Sequence, residues 1–174
     1  MKTTKLNIWD FDGTLVKTPL PEFGKPLYEK RTGVAWPYYG WWSKKESLDT
    51  DIFEMPIIEQ TYKDYKKESQ DPNTLNVMIT GRLFKLSSDV EKILSLKKLK
   101  FDKYLYNMGG DSFGCKIKQF EDLISKLPDL EIIEIWEDRK PHYDGFLLWG
   151  NELVKNKVIK KIIVNLVEEN EKIK

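Results

Sequence analysis

The chain has 174 residues, 40% of them hydrophobic and 33% charged, which suits one soluble domain with its own core and leaves too little chain for two. No apolar run approaches the ~20 residues of a membrane span, and Met1-Lys2-Thr3-Thr4-Lys5 leads straight into an apolar strand, so a cytoplasmic protein with no membrane partner is expected. A net charge of +1 gives no global electrostatic case for nucleic acid, and a single cysteine, Cys115, excludes an intrachain disulfide partner and a cysteine-based zinc cluster.

Leu6 to Asp10 reads as a buried strand that stops at Asp10-Phe11-Asp12-Gly13-Thr14-Leu15, where a glycine and a threonine demand a turn. Two carboxylates spaced Asp-x-Asp at a strand end can point into one crevice. One can attack as a nucleophile and the other handle a proton, with a divalent cation offsetting their repulsion. A calcium loop of the EF-hand type would need glycine at its sixth position and glutamate at its twelfth; Leu15 and Pro21 stand there.

Residues 16–73 hold six prolines and the aromatic block Trp36-Pro37-Tyr38-Tyr39-Gly40-Trp41-Trp42. Loops and short helices are expected, then one better helix from about Pro56 to Ser69, the whole forming a small insertion over the strand ends. Leu75 to Thr80 is a second strand, ending in Thr80-Gly81-Arg82; Ser88 and Glu91 have the spacing of a capping box for the following helix. Phe101 to Tyr106 makes a third strand and Gly114 to Leu127 a helix with Ile117, Phe120, Leu123 and Ile124 as its buried stripe. Leu130 to Trp136 is a fourth strand, ending in Glu137-Asp138-Arg139. A helix from Tyr143 to about Leu153 and a last strand over Val158 to Val167 follow, and the tail from Glu168 to Lys174 reads as frayed. Strands separated by helices indicate a single three-layer, Rossmann-like α/β/α domain over residues 1–174 with a mostly parallel sheet. Ligands bind beyond the carboxyl ends of such strands.

The polar strand ends come in the order acid pair (Asp10, Asp12), hydroxyl (Thr80), lysine (Lys116), acid pair (Glu137, Asp138). This order resembles the four motifs of the haloacid dehalogenase-like (HAD) phosphatases over roughly residues 5–150. The resemblance implies Asp10 as the nucleophile that takes the phosphoryl group, and Asp12 as the general acid whose backbone carbonyl reaches the metal. It implies Thr80 as a phosphoryl-oxygen ligand, Lys116 as the neutralising cation, and Mg²⁺ held by Asp10, Asp12 and Asp138. Lys118 competes for the lysine role; Lys116 is preferred because Phe120, Leu123 and Ile124 follow it on one helical face. Glu137 replaces the commoner aspartate and is read as an acid behind the metal ligands, bonded to the lysine or to a metal-bound water.

Asp10 to Leu15 with Thr18-Pro19 and Pro21, then Gly40-Trp41-Trp42, Thr80-Gly81-Arg82, and Glu137-Asp138-Arg139 with His142 and Phe146, resemble the HAD domain of the Swiss Army Knife RNA repair group. The Thr-Gly-Arg and acid-Asp-Arg signatures are also similar to the phosphatase half of polynucleotide kinase-phosphatases. The resemblance implies removal of phosphate from RNA or DNA ends. Gly81 and Arg82 would then meet the phosphate, Arg82 as a bidentate ligand. Arg139 would either do the same or form a structural salt bridge. His142 either caps a helix or contacts substrate. Trp41 and Trp42 could stack on a base, with core packing the expected role for at least one of them. Cys115 stands where the closer pattern has a phenylalanine, and Leu20 with Glu22 also departs from it. Two other readings stay open: a phosphatase of nucleotides or other small phosphorylated metabolites, and a non-catalytic module that binds phosphorylated ends.

Overall fold

The computed structural model describes residues 2–168; most of the tail expected to fray lies outside the described residues. Five strands, β1 (Lys5–Asp10), β2 (Thr74–Leu83), β3 (Lys103–Asn107), β4 (Ile132–Glu137) and β5 (Lys161–Leu166), form one sheet in the order β3-β2-β1-β4-β5. Every described pairing is parallel, so the sheet is more uniform than the sequence required. β1 lies at the centre, and the chain crosses from one half of the sheet to the other between β3 and β4. That reversal opens a crevice at the carboxyl ends of β1 and β4.

The two-residue period of the strands sorts their side chains into two cores. Leu6 and Ile8 of β1, Val77 and Ile79 of β2, and Ile133 and Ile135 of β4 face one side, where they meet Phe120 and Leu123 of α4 (Ser112–Ser125) and Phe146 of α5 (Lys140–Lys155). Trp9, Met78 and Trp136 face the other, against Tyr65 of α2 (Glu59–Glu68) and Val90, Ile93 and Leu94 of α3 (Ser87–Leu96). Trp9 and Trp136 stack at 3.6 Å between ring centroids, and the Tyr65 hydroxyl donates to the Lys100 carbonyl at 2.6 Å. Helix α2 is therefore a packing layer of the sheet, and the true excursion is narrower than 16–73. Its neck is closed where Lys17 N–H donates to the Pro56 carbonyl (2.9 Å) and Ile58 N–H to that of Leu15 (3.1 Å).

Within the excursion the structure has a full helix, α1 (Pro21–Thr32), where the prolines pointed to loops and short pieces. Pro21 sits in the first turn, where a missing N–H costs nothing, and the helix tolerates Pro26 inside it because Leu27 and Tyr28 pack on the aromatic cluster around Trp41. Ser88 and Glu91 do not form a capping box: α3 opens behind Leu86 without a side-chain cap, and Glu91 instead accepts the Tyr106 hydroxyl at 2.9 Å. The last strand starts at Lys161, three residues later than its alternation suggested, after Lys157 turns with a positive φ.

Candidate active site

Alternation along β1 and β4 places Asp10 on the same side as Ile8, and Glu137 on the same side as Ile135. That is the side covered by α4. Lys116 heads the buried stripe of α4, so its ammonium arrives between the two acids, 2.6 Å from Asp10 Oδ1 and 2.8 Å from Glu137 Oε2. Only 3% of Lys116 is exposed, whereas Lys118 points to solvent. Glu137, with no exposed surface, also accepts the Arg139 backbone N–H (3.1 Å) and lies 3.2 Å from His142 Nδ1, which must carry the proton to bond a carboxylate.

These contacts decide the charges. Burial of Lys116 favours loss of its proton, but Asp10 and then Glu137 more than reverse that and hold it charged. Burial also pushes Glu137 up; the hydrogen bond from His142 and the Lys116 charge override it and leave it at about 2. Asp10 is held well above the usual carboxylate range by burial and then by the Glu137 charge, against the pull of Lys116. Asp138 is pushed up to about 7 by burial and by the Glu137 carboxylate beside it. Three acids thus share one lysine, and two of them hold protons more tightly than free carboxylates do.

A cation would resolve that imbalance. Carboxylate oxygens of Asp10, Glu137 and Asp138 all lie within 4.8 Å of one another, and Asp138 Oδ1 is buried without a hydrogen-bond partner. An orphaned oxygen among acids is the kind of hard oxygen donor set that Mg²⁺ takes, so the residues present fit that ion. Gly13 keeps the place open: its φ is +72°, and a Cβ there would lie 2.3 Å from Asp138 Oδ2.

Asp12 has a separate set of partners. Its Oδ1 accepts the Thr18 hydroxyl (2.7 Å) and Arg82 Nε (2.9 Å), and its Oδ2 accepts Thr80 Oγ1 at 3.3 Å. A cavity of about 460 Å³ is lined by Asp10, Lys116, Asp12, Arg82, Trp42 and the exposed Arg139.

The sequence family described as HAD domain family 1 in Swiss Army Knife RNA repair proteins matches residues 32–174. The chain belongs to this family. Among solved structures, the HAD domain of the effector protein Lem4 from Legionella pneumophila superposes with a TM-score of 0.54 at 13% identity, covering 99% of this chain and 90% of that one. An inactive mutant of the same domain gives 0.51 at 12% identity, over 100% and 89%. At such identities the likeness establishes the HAD fold alone. The family match begins after the Asp-x-Asp run, so Asp10 and Asp12 rest on their own geometry.

Within this HAD site, several residues stand elsewhere than their motifs suggested. The Thr80 hydroxyl is spent on Asp12 and on the Arg82 N–H (3.1 Å) and does not face the cavity. Arg82 grips Asp12 and not an open phosphate position. Trp41, 3% exposed, donates its indole N–H to the Pro19 carbonyl and packs over Gly24; it belongs to the core of the excursion. Trp42, 41% exposed, does line the cavity. Gly81 lines it too, and a Cβ there would press on Ser112 Oγ at 2.6 Å. His142 is buried behind Glu137 against Phe113 and Phe146, so it shapes the charge cluster without touching the cavity.

Thr18, Ser47 and Ser112 escaped assignment as site residues. Ser112 opens α4 at the cavity wall, but a serine after Asp111 reads as a helix start, and Asp111 does cap the helix by accepting the Gly114 N–H. Thr18 reaches Asp12 only because the chain doubles back at Val16. Ser47 lies in a short 3-10 turn, Lys45–Leu48, and carries no local signal. Among the described residues, no helix is long and apolar enough to cross a membrane.

Proposed function

We propose that the chain is a Mg²⁺-dependent phosphohydrolase that works through an aspartyl-phosphate and removes phosphate from nucleic-acid ends. The observation that carries the chemistry is the buried Lys116–Asp10 contact in the lining of the same cavity as Asp12. One carboxylate is charge-paired with Lys116, and the other is bonded by Thr18 and Arg82.

In this reading an Asp10 oxygen attacks phosphorus as the bond from phosphorus to the leaving oxygen breaks, and Asp12 gives that oxygen a proton. A water then attacks the phosphorus of the aspartyl-phosphate and passes its proton to Asp12, releasing phosphate and free Asp10. Lys116 stays protonated and offsets charge on Asp10 and on the transferring group, while Glu137, fixed by His142, keeps Lys116 in place. Mg²⁺, held by Asp10, Asp138 and the Asp12 backbone carbonyl, would supply further charge neutralisation at the phosphoryl oxygens. Nucleic-acid ends as substrates are supported by the family description, by the exposed Trp42 ring and by the exposed Arg139 in the cavity lining. The near-neutral net charge favours the alternative, a phosphatase of nucleotides or other small phosphorylated metabolites.

The wild type is expected to release phosphate from p-nitrophenyl phosphate with Mg²⁺ and not with EDTA, and Asp10→Asn to release none. Turnover of 3′-phosphorylated oligonucleotides against mononucleotides and sugar phosphates then separates the substrate readings. A preference for free nucleotides removes the nucleic-acid version. Absence of Mg²⁺-dependent release from every phosphoester removes the enzyme.

A further inference from the structure

Arg82 is 2% exposed, and its guanidinium lies among Asp12, Ser47 and Trp42. Nε donates to both oxygens of Asp12, at 2.9 and 3.1 Å. Nη2 lies 2.8 Å from Asp12 Oδ1 at an angle too poor for a hydrogen bond, so this second contact is an ion pair. Nη1 donates to Ser47 Oγ at 2.8 Å and to the Trp42 carbonyl at 3.2 Å, and the Trp42 ring covers the guanidinium with its centroid 5.2 Å from Cζ. Ser47 is fully buried and donates in turn to the Lys44 carbonyl. Register between β2 and β3 shifts between Ile79 and Leu83, the stretch that carries Arg82, and such irregularities serve to re-aim a side chain.

From these contacts we infer that Arg82 is a positioning residue: it fixes the Asp12 carboxylate for proton transfer to the leaving group and ties it to the Trp42–Ser47 turn of the excursion. This inference rests on the phosphohydrolase reading. A planar fork with two contacts to one carboxylate fixes both its distance and its rotation, which a lysine in the same place cannot do. The excursion is thereby part of the proton-transfer apparatus, since two of the three groups bonded to the guanidinium belong to it.

The test compares kcat/KM, which ends at departure of the leaving group, for two substrates with the same phosphoryl group. p-Nitrophenolate leaves as a stable anion and needs little protonation; the alkoxide of a nucleoside 3′-phosphate needs it fully. Arg82→Lys is expected to lower kcat/KM for the nucleoside 3′-phosphate about 100-fold, the lower range of general-acid contributions, and that for p-nitrophenyl phosphate less than about 5-fold. Ser47→Ala, which loosens the guanidinium without touching Asp12, is expected to show the same inequality at about 3- to 10-fold. Equal losses on both substrates would make Arg82 a phosphate ligand or a purely structural residue and overturn the inference while leaving the phosphohydrolase standing. Should Arg82→Lys fail to fold, as judged by circular dichroism, Ser47→Ala decides by the same ratio, and equal rates with wild type on both substrates also overturn it. A wild type inactive on both substrates overturns the inference together with the reading beneath it.

Discussion

Asp138 makes the stability of the metal-free protein depend on pH in an unusual direction. Its folded-state value of about 7 exceeds the ordinary 3.8, so the folded protein binds this proton more tightly than the unfolded chain does. Stability must then fall as pH rises from about 4 through about 7, and at ~1.4 kcal/mol per pH unit the loss amounts to about 4 kcal/mol. Asp10, also raised, acts in the same sense. Glu137 acts at the other end. Lowered from 4.5 to about 2, it contributes about 3 kcal/mol that is present above pH 4.5 and lost as pH falls through 2. Urea unfolding in EDTA is therefore expected to give the greatest stability near pH 4 to 5 and a decline of about 4 kcal/mol by pH 8, a large share of a domain's typical total. At the proposed site Mg²⁺ would compete with those protons, so the stabilisation it gives should be several-fold larger at pH 8 than at pH 5. Asp138→Asn, which cannot ionise, should flatten the decline and weaken the Mg²⁺ response. Stability in EDTA that stays level or rises from pH 5 to 8, or an undiminished slope in Asp138→Asn, would refute the reasoning.

Lys116→Met keeps the volume of the side chain but strands two buried carboxylates. A loss of about 3–5 kcal/mol is expected from urea unfolding at pH 8, smaller at pH 5 where Asp10 can take a proton, together with loss of phosphate release. Trp42→Ala should raise KM for a 3′-phosphorylated oligonucleotide by the ~1–3 kcal/mol of a base–aromatic stack, with Trp42→Phe recovering most of it. Steady-state kinetics on that oligonucleotide and on p-nitrophenyl phosphate check this; equal effects on both would remove the stacking role.

What the sequence shows plainly is what the chain encodes locally. The apolar runs of β1, β2 and β4 and the acids at the ends of β1 and β4 are legible because strand period and strand ends leave direct marks. The stripe Lys116, Phe120, Leu123 is legible for the same reason: its lysine is buried between Asp10 and Glu137, whereas Lys118 is exposed. Residues whose place depends on how the excursion folds back are not legible in this way. Trp41 and Trp42 are neighbours of one type, yet one is core and the other lines the cavity, because only Trp41 meets Gly24 of α1. Ser88 and Glu91 show the converse failure: correct cap spacing is overruled when the Tyr106 hydroxyl claims the glutamate.

The two halves of the site have different origins, and that separates what each can tolerate. Asp10, Lys116, Glu137 and His142 come from β1, β4, α4 and α5 on one side of the sheet, in the register of a parallel pair buried on both faces. Asp12 is held by a different set of residues, by Thr18 near the neck of the excursion and by Arg82, which Ser47 and Trp42 brace. In the proposed mechanism, changes in the α4–α5 core would act on charge at Asp10, and with it on metal affinity and pH dependence. Changes in the excursion would act on Asp12, and so on which leaving groups can depart. On the same proposal, an excursion that varied in length or sequence while keeping Ser47 and the Trp42 carbonyl in reach of Arg82 would alter the substrate without dismantling the chemistry.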